Sequence, residues 1–358
     1  MSGVWGKRIK LSIFGESHGK AIGINIDGLP QGIELDLNYI NKEMERRAPG
    51  KSELSTPRKE EDTVQILSGY FNRKTTGTPL CAVIYNNNQH SKDYEKTKDL
   101  MRPSHGDFTG YIKYEGFNDY RGGGHFSGRL TAPLVFAGAV CKQILERKGI
   151  FIGSHIKSIG NIEDRSFDMV EIKDETFKKL RENTFPVLDE KMGAEMKERI
   201  IKAKEEMDSV GGIIESAVIN LPIGIGDPFF DSVESNLVQL LFSIPGVKGV
   251  EFGEGFGLTR MLGSQANDEY YMDGDKVKTY SNNNGGILGG ITNGMPLIFR
   301  VAIKPTPSIG KIQRTINIEK KENDEIKIKG RHDPCIVPRA LPVVEAVAAI
   351  AMLNLFND

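Results

Sequence analysis

Ile9-Lys-Leu-Ser-Ile-Phe-Gly-Glu-Ser-His-Gly-Lys-Ala-Ile-Gly-Ile-Asn-Ile26 decides how this 358-residue chain folds. Its centre, Gly15-Glu16-Ser17-His18-Gly19, matches the Gly-x-Ser-x-Gly elbow of esterases, in which a strand turns sharply into a helix. Here the turn is followed by Ala21–Ile26, which alternates like a strand, and preceded by a single strand-like piece, Ile9–Phe14. That context weakens the hydrolase reading, and strand–turn–strand pieces interrupted by helices along the chain favour an α+β fold over a regular βαβ series. Two readings of the turn stay open: a nucleophilic Ser17, or a tight turn presenting His18 as an acid, base or phosphate contact. A Gly-bounded turn without chemistry is the bland alternative.

Outward from this unit, Asp36 or Asn38 predicts a helix start, with the helix running to Arg47 and ending at Pro49-Gly50. Strands are expected at 63–67 and 79–85, a polar loop at 86–99, a helix at 131–148, a strand at 211–219 and a helix at 232–242. The charged middle, 151–207, reads as solvated helix faces, and the C-terminal third alternates strands with Gly- and Asn-rich loops. Ala340–Phe356, interrupted by Pro342 and Glu345, is shorter than a membrane span and reads as a buried helix. Neither a repeat nor a linker interrupts residues 1–358, so a single domain is expected.

A formal net charge of −1 provides no global field for nucleic acid or an anionic membrane, so neither partner is expected. Cys81, Cys141 and Cys335 are odd in number and scattered, which argues against disulfides and a structural zinc and fits a reducing cytoplasm. Met1–Leu11 lacks the apolar run of a signal peptide.

The block from Arg102 to Arg129 is poor in aliphatic residues and rich in Gly, Arg, His and aromatics, which suits a functional loop better than a core. Within it, Arg102-Pro-Ser-His105 sets a second His beside a Ser and a cation, and Arg121-Gly-Gly-Gly124 leads through His125, Phe126 and Ser127 to Arg129. Consecutive glycines let backbone amides approach an anion closely, and the helix start at Thr131 favours phosphate. Lys304-Pro-Thr-Pro-Ser308 sets a cation and two hydroxyls on a stiffened turn, and Arg331-His-Asp333 groups a cation, an imidazole and a carboxylate. Arg46-Arg47 either satisfy helix-terminal carbonyls or clamp an anion. His90 and His155 read as structural or exposed, and no metal site is expected. These loops together suit a small polyanionic substrate and proton transfer near neutral pH.

In their order, these motifs resemble the chorismate synthase family along essentially the whole chain. The matching pieces are Phe14–Gly19, Asp27–Pro30, Arg46–Gly50, Gln65–Gly69, Thr75–Thr78, Arg102–His105, Asp119–Gly124, Gly285–Gly290, Lys304–Thr306 and Gly330–Cys335. The resemblance implies a single-domain β-α-β sandwich, usually a homotetramer. It also implies conversion of 5-enolpyruvylshikimate 3-phosphate to chorismate and phosphate by a 1,4-anti elimination, with reduced FMN as cofactor and no net redox change. Carried over by position, His18 assists the departing phosphate, His105 protonates the reduced flavin and Asp333 works with flavin N5. Ser17, Arg46, Arg47, Arg102 and Arg129 are implied to bind substrate. His125, Phe126, Ser127, Pro245, Gly246, Gly289, Lys304, Pro305, Thr306, Pro307, Ser308 and Arg331 are implied to contact the flavin, and Arg331 also balances phosphate or carboxylate charge.

Three residues depart from the family pattern in the loop before the Thr131 helix: His125 for Arg, Phe126 for Ser and Leu130 for Glu. Asn284 replaces a small residue. Glu53 stands where Arg is common, which argues against NADPH binding, despite the family's association with NADP, and for an external flavin reductase or other source of reduced flavin.

Overall fold

The alternation of Ile22, Ile24 and Ile26, all with 0% exposure, builds one face of a five-stranded antiparallel sheet. The computed structural model describes residues 3–50, 62–86, 98–328 and 333–356. Chain contacts define two units. The first comprises Met1–Ala137, Glu198–Val210 and Pro305–Ile336; the second comprises Gly138–Lys197, Gly211–Lys304 and Val337–Asp358.

The sheet of the first unit contains β1 (Val4–Trp5), β2 (Lys10–Gly15), β3 (Ala21–Asp27), β4 (Val64–Ser68) and β5 (Leu80–Tyr85), in the order β1-β2-β3-β5-β4. Gly15 pairs with Ile22, so the turn between β2 and β3 projects Glu16 to Gly19 from the sheet end. Burying each of the three isoleucines contributes about 1.5–3 kcal/mol, which makes this register costly to shift. Helix α1 (Leu37–Arg47) starts where Asp36 accepts hydrogen bonds from the amides of Asn38 (2.8 Å) and Tyr39 (3.2 Å). It buries Ile40, Met44 and Arg47 at helical spacing and stops at Ala48, ahead of Pro49. The Gly- and Arg-rich block is not continuous loop: it holds α2 (Asp107–Lys113) and tight turns at Arg121–Phe126 and Gly128–Leu130, before α3 (Thr131–Arg147) begins.

The second unit carries another five-stranded antiparallel sheet: β6 (Phe151–Ile159), β7 (Ile162–Glu163), β8 (Gly212–Ile219), β9 (Val247–Phe252) and β10 (Leu297–Ile303), in the order β9-β10-β8-β6-β7. Strand β6 is unexpected from the charged middle of the sequence; only the helices α4 (Asp174–Glu182) and α5 (Glu190–Glu205) match that composition. Phe167, Phe177, Leu180, Ala217, Ile219 and Ile298 form a core on this sheet.

One rung of charged groups crosses four strands. His155, Glu215, Arg300 and Glu251 occupy successive paired positions. His155 Nε2 lies 2.8 Å from Glu215 Oε2 and its Nδ1 lies 3.2 Å from Asp164 Oδ2, while Arg300 Nε donates to Glu215 Oε1 at 2.8 Å. His155 is therefore a structural, fully buried imidazole.

Helices α6 (Val233–Leu241) and α7 (Val337–Leu355) complete this unit, and α7 packs on β6, β8 and α6. Glu345, which breaks the apolar run of α7, pairs with Lys142 of α3 at 2.5 Å, both side chains at most 3% exposed. Among the described residues α7 is the one helix long and apolar enough to cross a membrane, and 89% of its apolar window is buried in the fold.

Candidate active site

The turn between β2 and β3 closes when the Gly19 amide donates to the Glu16 carbonyl at 3.0 Å. Asn86, immediately after β5, pins it: the side-chain amide donates to the carbonyls of Glu16 (3.1 Å) and Gly19 (2.9 Å). The Ser17 amide donates to the Gly124 carbonyl (3.1 Å), and the Ser17 hydroxyl to the Arg121 carbonyl (3.3 Å). These bonds seat the pentapeptide on the triple-glycine turn and leave Ser17 and His18 only 5% and 6% exposed.

His18 Nδ1 lies 3.2 Å from Ser17 Oγ. Ser17 has one hydroxyl proton. When that proton is given to the Arg121 carbonyl, the serine oxygen can only accept from the ring. Nδ1 then carries a proton, so a second proton taken up by the ring goes to Nε2. The ring fits because Gly122 has no side chain: a Cβ there would lie 2.2 Å from both Cε1 and Nδ1 of His18. Gly122 also sits at φ +61°, where glycine carries no steric penalty. Asp119 reinforces the pocket electrostatically. The hydrogen bond from Arg121 holds its carboxyl below the usual range, and the charge of His18 acts in the same direction.

Each described candidate arginine carries a resident carboxylate. Arg46 Nη1 donates to both oxygens of Glu43 at 3.0–3.1 Å. Arg102 grips Asp107 through Nε (2.6 Å) and Nη2 (2.7 Å), and Arg121 grips Asp119 through Nε (2.8 Å) and Nη2 (2.7 Å). Arg47 and Arg129 share Asp62: Arg47 Nη1 reaches Oδ2 at 2.7 Å and Arg129 Nη1 reaches Oδ1. Pairing of this kind fixes guanidinium geometry more than it stabilises the fold.

The second histidine is equally constrained. His105 Nδ1 donates to the Pro103 carbonyl (2.9 Å) and Nε2 faces the Ser308 hydroxyl (2.8 Å). The structure thus joins the Arg102–His105 motif to the Pro305–Ser308 segment. On that segment the Ser209 hydroxyl donates to the Thr306 carbonyl (2.6 Å), while the buried Thr306 Oγ1 has no hydrogen-bond partner among the described residues.

Around the glycine turn, His125 Nδ1 donates to the Gly15 carbonyl (2.9 Å), so this ring ties the turn to the end of β2. Phe126 is 41% exposed, and its ring lies over Gly106 and Gly110, where added Cβ atoms would sit 3.1 and 2.7 Å from it. Its centroid is 6.2 Å from that of Tyr114. Ser127 caps the short turn before α3 by accepting from the Arg129 amide at 3.3 Å. Asp333 lies in the segment preceding α7, next to Pro334, whose carbonyl accepts from the Val210 amide (2.9 Å). Arg331, His332, Glu53 and His90 lie outside the described residues.

In the second unit, the Lys304 amide donates to the Gly246 carbonyl at 2.9 Å, bringing Pro245-Gly246 beside Lys304. Burial, with Lys248 adding to it, lowers the Lys304 ammonium from its ordinary value. Gly289 turns the Ile287–Thr292 hairpin at φ +61° with open space at its Cβ position. Asn284 has a role the sequence left undefined: its backbone and side-chain amides donate to Asp268 Oδ2 at 3.0 and 2.8 Å and hold the Asn-rich loop.

Asp62 and Asn86 are the site residues that motif reading passed over, while Asp119 and Gly122 lay within quoted motifs without a stated role. Asp62 is 15 and 67 residues from its two arginines, and Asn86 is 43 residues from Arg129. Pairings at such separations leave no local signal. Gly122 was visible as part of a glycine run, but its contact with His18 was not.

Comparison with known proteins covers nearly the whole chain. The family model described as chorismate synthase matches residues 9–356. Chorismate synthase of Methanobrevibacter smithii is 47% identical over 354 residues, covering 99% of this chain and 96% of its own length. That of Pyrococcus abyssi is 48% identical over 349 residues, covering 98% and 96%. A crystal structure of chorismate synthase, 31% identical, superposes with a TM-score of 0.77 and covers 98% of this chain and 92% of its own.

Proposed function

This chain belongs to the chorismate synthase family, and from that premise we propose that the His18 turn and the His105 loop divide the proton handling of its reaction. The enzyme is a lyase acting on a small phosphorylated substrate, 5-enolpyruvylshikimate 3-phosphate, and yields chorismate and phosphate. Its fold is the α+β fold of that family.

The observation that carries this reading is the seating of His18: a buried ring fixed by Ser17 and admitted by Gly122. A phosphate leaving a carbon centre develops charge on its bridging oxygen, which cations and a proton donor stabilise. In its doubly protonated form, with Nδ1–H on Ser17, His18 would give its Nε2 proton to that oxygen, and Arg129 with Arg47 provides the cationic wall, Ser17 touching substrate. Arg46 and Arg102 serve the same anion. Burial keeps these groups in place through the step, so no reorganisation is needed as charge develops.

The residues present fit a flavin. The buried Thr306 hydroxyl, without a partner among the described residues, and the Ser308 hydroxyl opposite His105 offer hydrogen bonds to a ring with a polar edge. Pro305 and Pro307 stiffen that segment, and Lys304, Arg331, Gly246 and Gly289 are the further contacts implied by family position. Bound there, reduced FMN supplies an electron-rich ring that eases loss of an allylic phosphate by anti elimination. His105, with Nδ1–H committed to Pro103, would pass a proton to the reduced flavin through Nε2, and Asp333 would work beside flavin N5 in hydrogen removal, as family position implies.

The same reading makes the chain a cytoplasmic homotetramer supplied with reduced flavin by a separate reductase. Three free cysteines support the reducing compartment and Glu53 in place of an arginine supports the separate reductase, while the tetramer is what family membership implies. The test is anaerobic turnover with the enolpyruvyl substrate and chemically reduced FMN, with and without NADPH. Chorismate and phosphate in equal amounts, without NADPH oxidation, are expected; absence of both products would overturn the reading.

A further inference from the structure

Arg129 is the pivot of a continuous polar chain that runs from α1 to the His18 turn. Two guanidinium groups, Arg47 and Arg129, lie in one place with side chains only 4% and 8% exposed. Like charges so placed repel unless a counter-charge sits between them. Asp62, with its side chain 2% exposed, gives one carboxylate oxygen to each. Burial works to raise this carboxyl, but the two arginines outweigh it and hold it below its ordinary 3.8, so it stays ionised and the trio keeps one positive charge.

Arg47 is itself fixed on all sides of its fork. Nε donates to Thr131 Oγ1 (3.2 Å) and Nη2 to the Gly128 carbonyl (3.1 Å), at the start of α3. Asp62 is therefore held by a rigid partner and passes that rigidity to Arg129. On its other side, Arg129 Nε donates to Asn86 Oδ1 at 3.2 Å. The Asn86 amide nitrogen spends both protons on the Glu16 and Gly19 carbonyls. Carbonyls only accept and guanidinium only donates, so the orientation of this amide follows from its neighbours. A carboxylate at position 86 would bind the arginine but face two carbonyl oxygens, and an aliphatic side chain would bind neither.

We infer that Asp62 and Asn86 are positioning residues that hold the Arg129 guanidinium at a set distance from the His18 turn. The inference rests on the proposed role of His18 at the departing phosphate. Net stabilisation from a buried charge cluster is small compared with an apolar replacement, so what the cluster supplies is placement. A displacement of about 1 Å in such a group costs on the order of 100-fold in rate.

The full chain and its Asn86→Leu and Asp62→Ala variants are compared in the anaerobic assay, with thermal melting and calorimetric binding of inorganic phosphate alongside. Asn86→Leu is expected to lose roughly 10- to 100-fold in kcat and to bind phosphate more weakly, while melting as a folded protein. Asp62→Ala is expected to lose activity that added formate partly restores, beyond any effect of formate on the parent chain, because formate refills the carboxylate position. Turnover by the parent chain reports on the proposed reaction independently of either variant. Should the parent chain not turn over, weaker phosphate binding by Asn86→Leu still supports the positioning role and unchanged binding overturns it. With the parent active, near-parental kcat in Asn86→Leu overturns the inference. So does a loss in Asp62→Ala that tracks only the unfolded fraction and ignores formate; if that variant does not fold, the Asn86→Leu result decides.

Discussion

Replacing Gly122 with alanine should disable the enzyme through His18 while leaving most of the fold intact. The added Cβ would lie 2.2 Å from His18 Cε1 and Nδ1 and 2.9 Å from Ser17 Oγ. Non-bonded carbons rest about 3.5–4.0 Å apart, so the ring must retreat by more than an ångström. It has little room to do so, because it is 6% exposed and its neighbour Ser17 is tied to Arg121 and Gly124. A backbone cost adds to this: alanine at φ +61° is strained by about 1–3 kcal/mol. Gly123 separates the two effects. It also has positive φ, +91°, but its built Cβ comes no nearer than 3.9 Å to another atom. Both Gly122→Ala and Gly123→Ala should therefore lower the melting temperature, whereas only Gly122→Ala should lose roughly 100-fold in kcat, the scale of an ångström misplacement. Anaerobic chorismate formation and thermal melting, measured on both variants, provide the comparison. Equal kcat in the two alanine variants would refute the claim that Gly122 exists to admit the imidazole.

Three further outcomes are expected. His18→Ala and His105→Ala should each reduce turnover by roughly 10- to 10⁴-fold, the range for a general acid or base, with folding unchanged by circular dichroism; near-parental turnover would remove that role. Glu345→Leu should destabilise the chain by about 3–5 kcal/mol by removing the carboxylate from the buried Lys142 ammonium, and adding Lys142→Met should recover most of the loss in a denaturant titration. The pH dependence of melting should show the His155 cluster. Burial opposes the charged imidazole, but Asp164 and Glu215 prevail and raise it above the ordinary 6.5. Its contribution is thus complete below 6.5 and fades as pH climbs past the raised value. Burial likewise opposes the two carboxylates, which the imidazolium nonetheless holds below 3.8 and 4.5, so theirs fades only in acid. The cluster should stabilise most between about 4.5 and 6.5, and His155→Phe should flatten the alkaline decline.

Local patterning made much of this legible. The period-two isoleucines gave β3, Asp36 gave the start of α1, and the apolar run from Ala340 gave α7, because each signal is carried within a few residues. Strand β6 was hidden because His155 and Lys157 break its apolar run, and the carboxylates that make His155 tolerable in the core lie 9 and 60 residues away. Helix α2 was hidden for another reason: its Gly110 reads as a breaker, yet the missing side chain is the groove that receives Phe126. At the site, the histidines and arginines could be found by type, and Glu43, Asp107 and Asp119 lie within five residues of their arginines, but Asp62 does not. Only the fold shows that Arg47 and Arg129 share Asp62.

The charged rung through β6, β8, β10 and β9 has a consequence for how this chain reaches its native pairing. Antiparallel strands rich in Ile and Val tolerate sliding by two positions better than by one, since an even slide keeps each apolar side chain on its face. Here a slide of two positions between β8 and β10 would set Glu215 opposite Ile298 or Ala302 rather than Arg300, leaving a buried carboxylate without its guanidinium. A slide of one would turn the rung onto the other face. The rung thus penalises both misalignments and favours the native register through charge as well as through apolar burial.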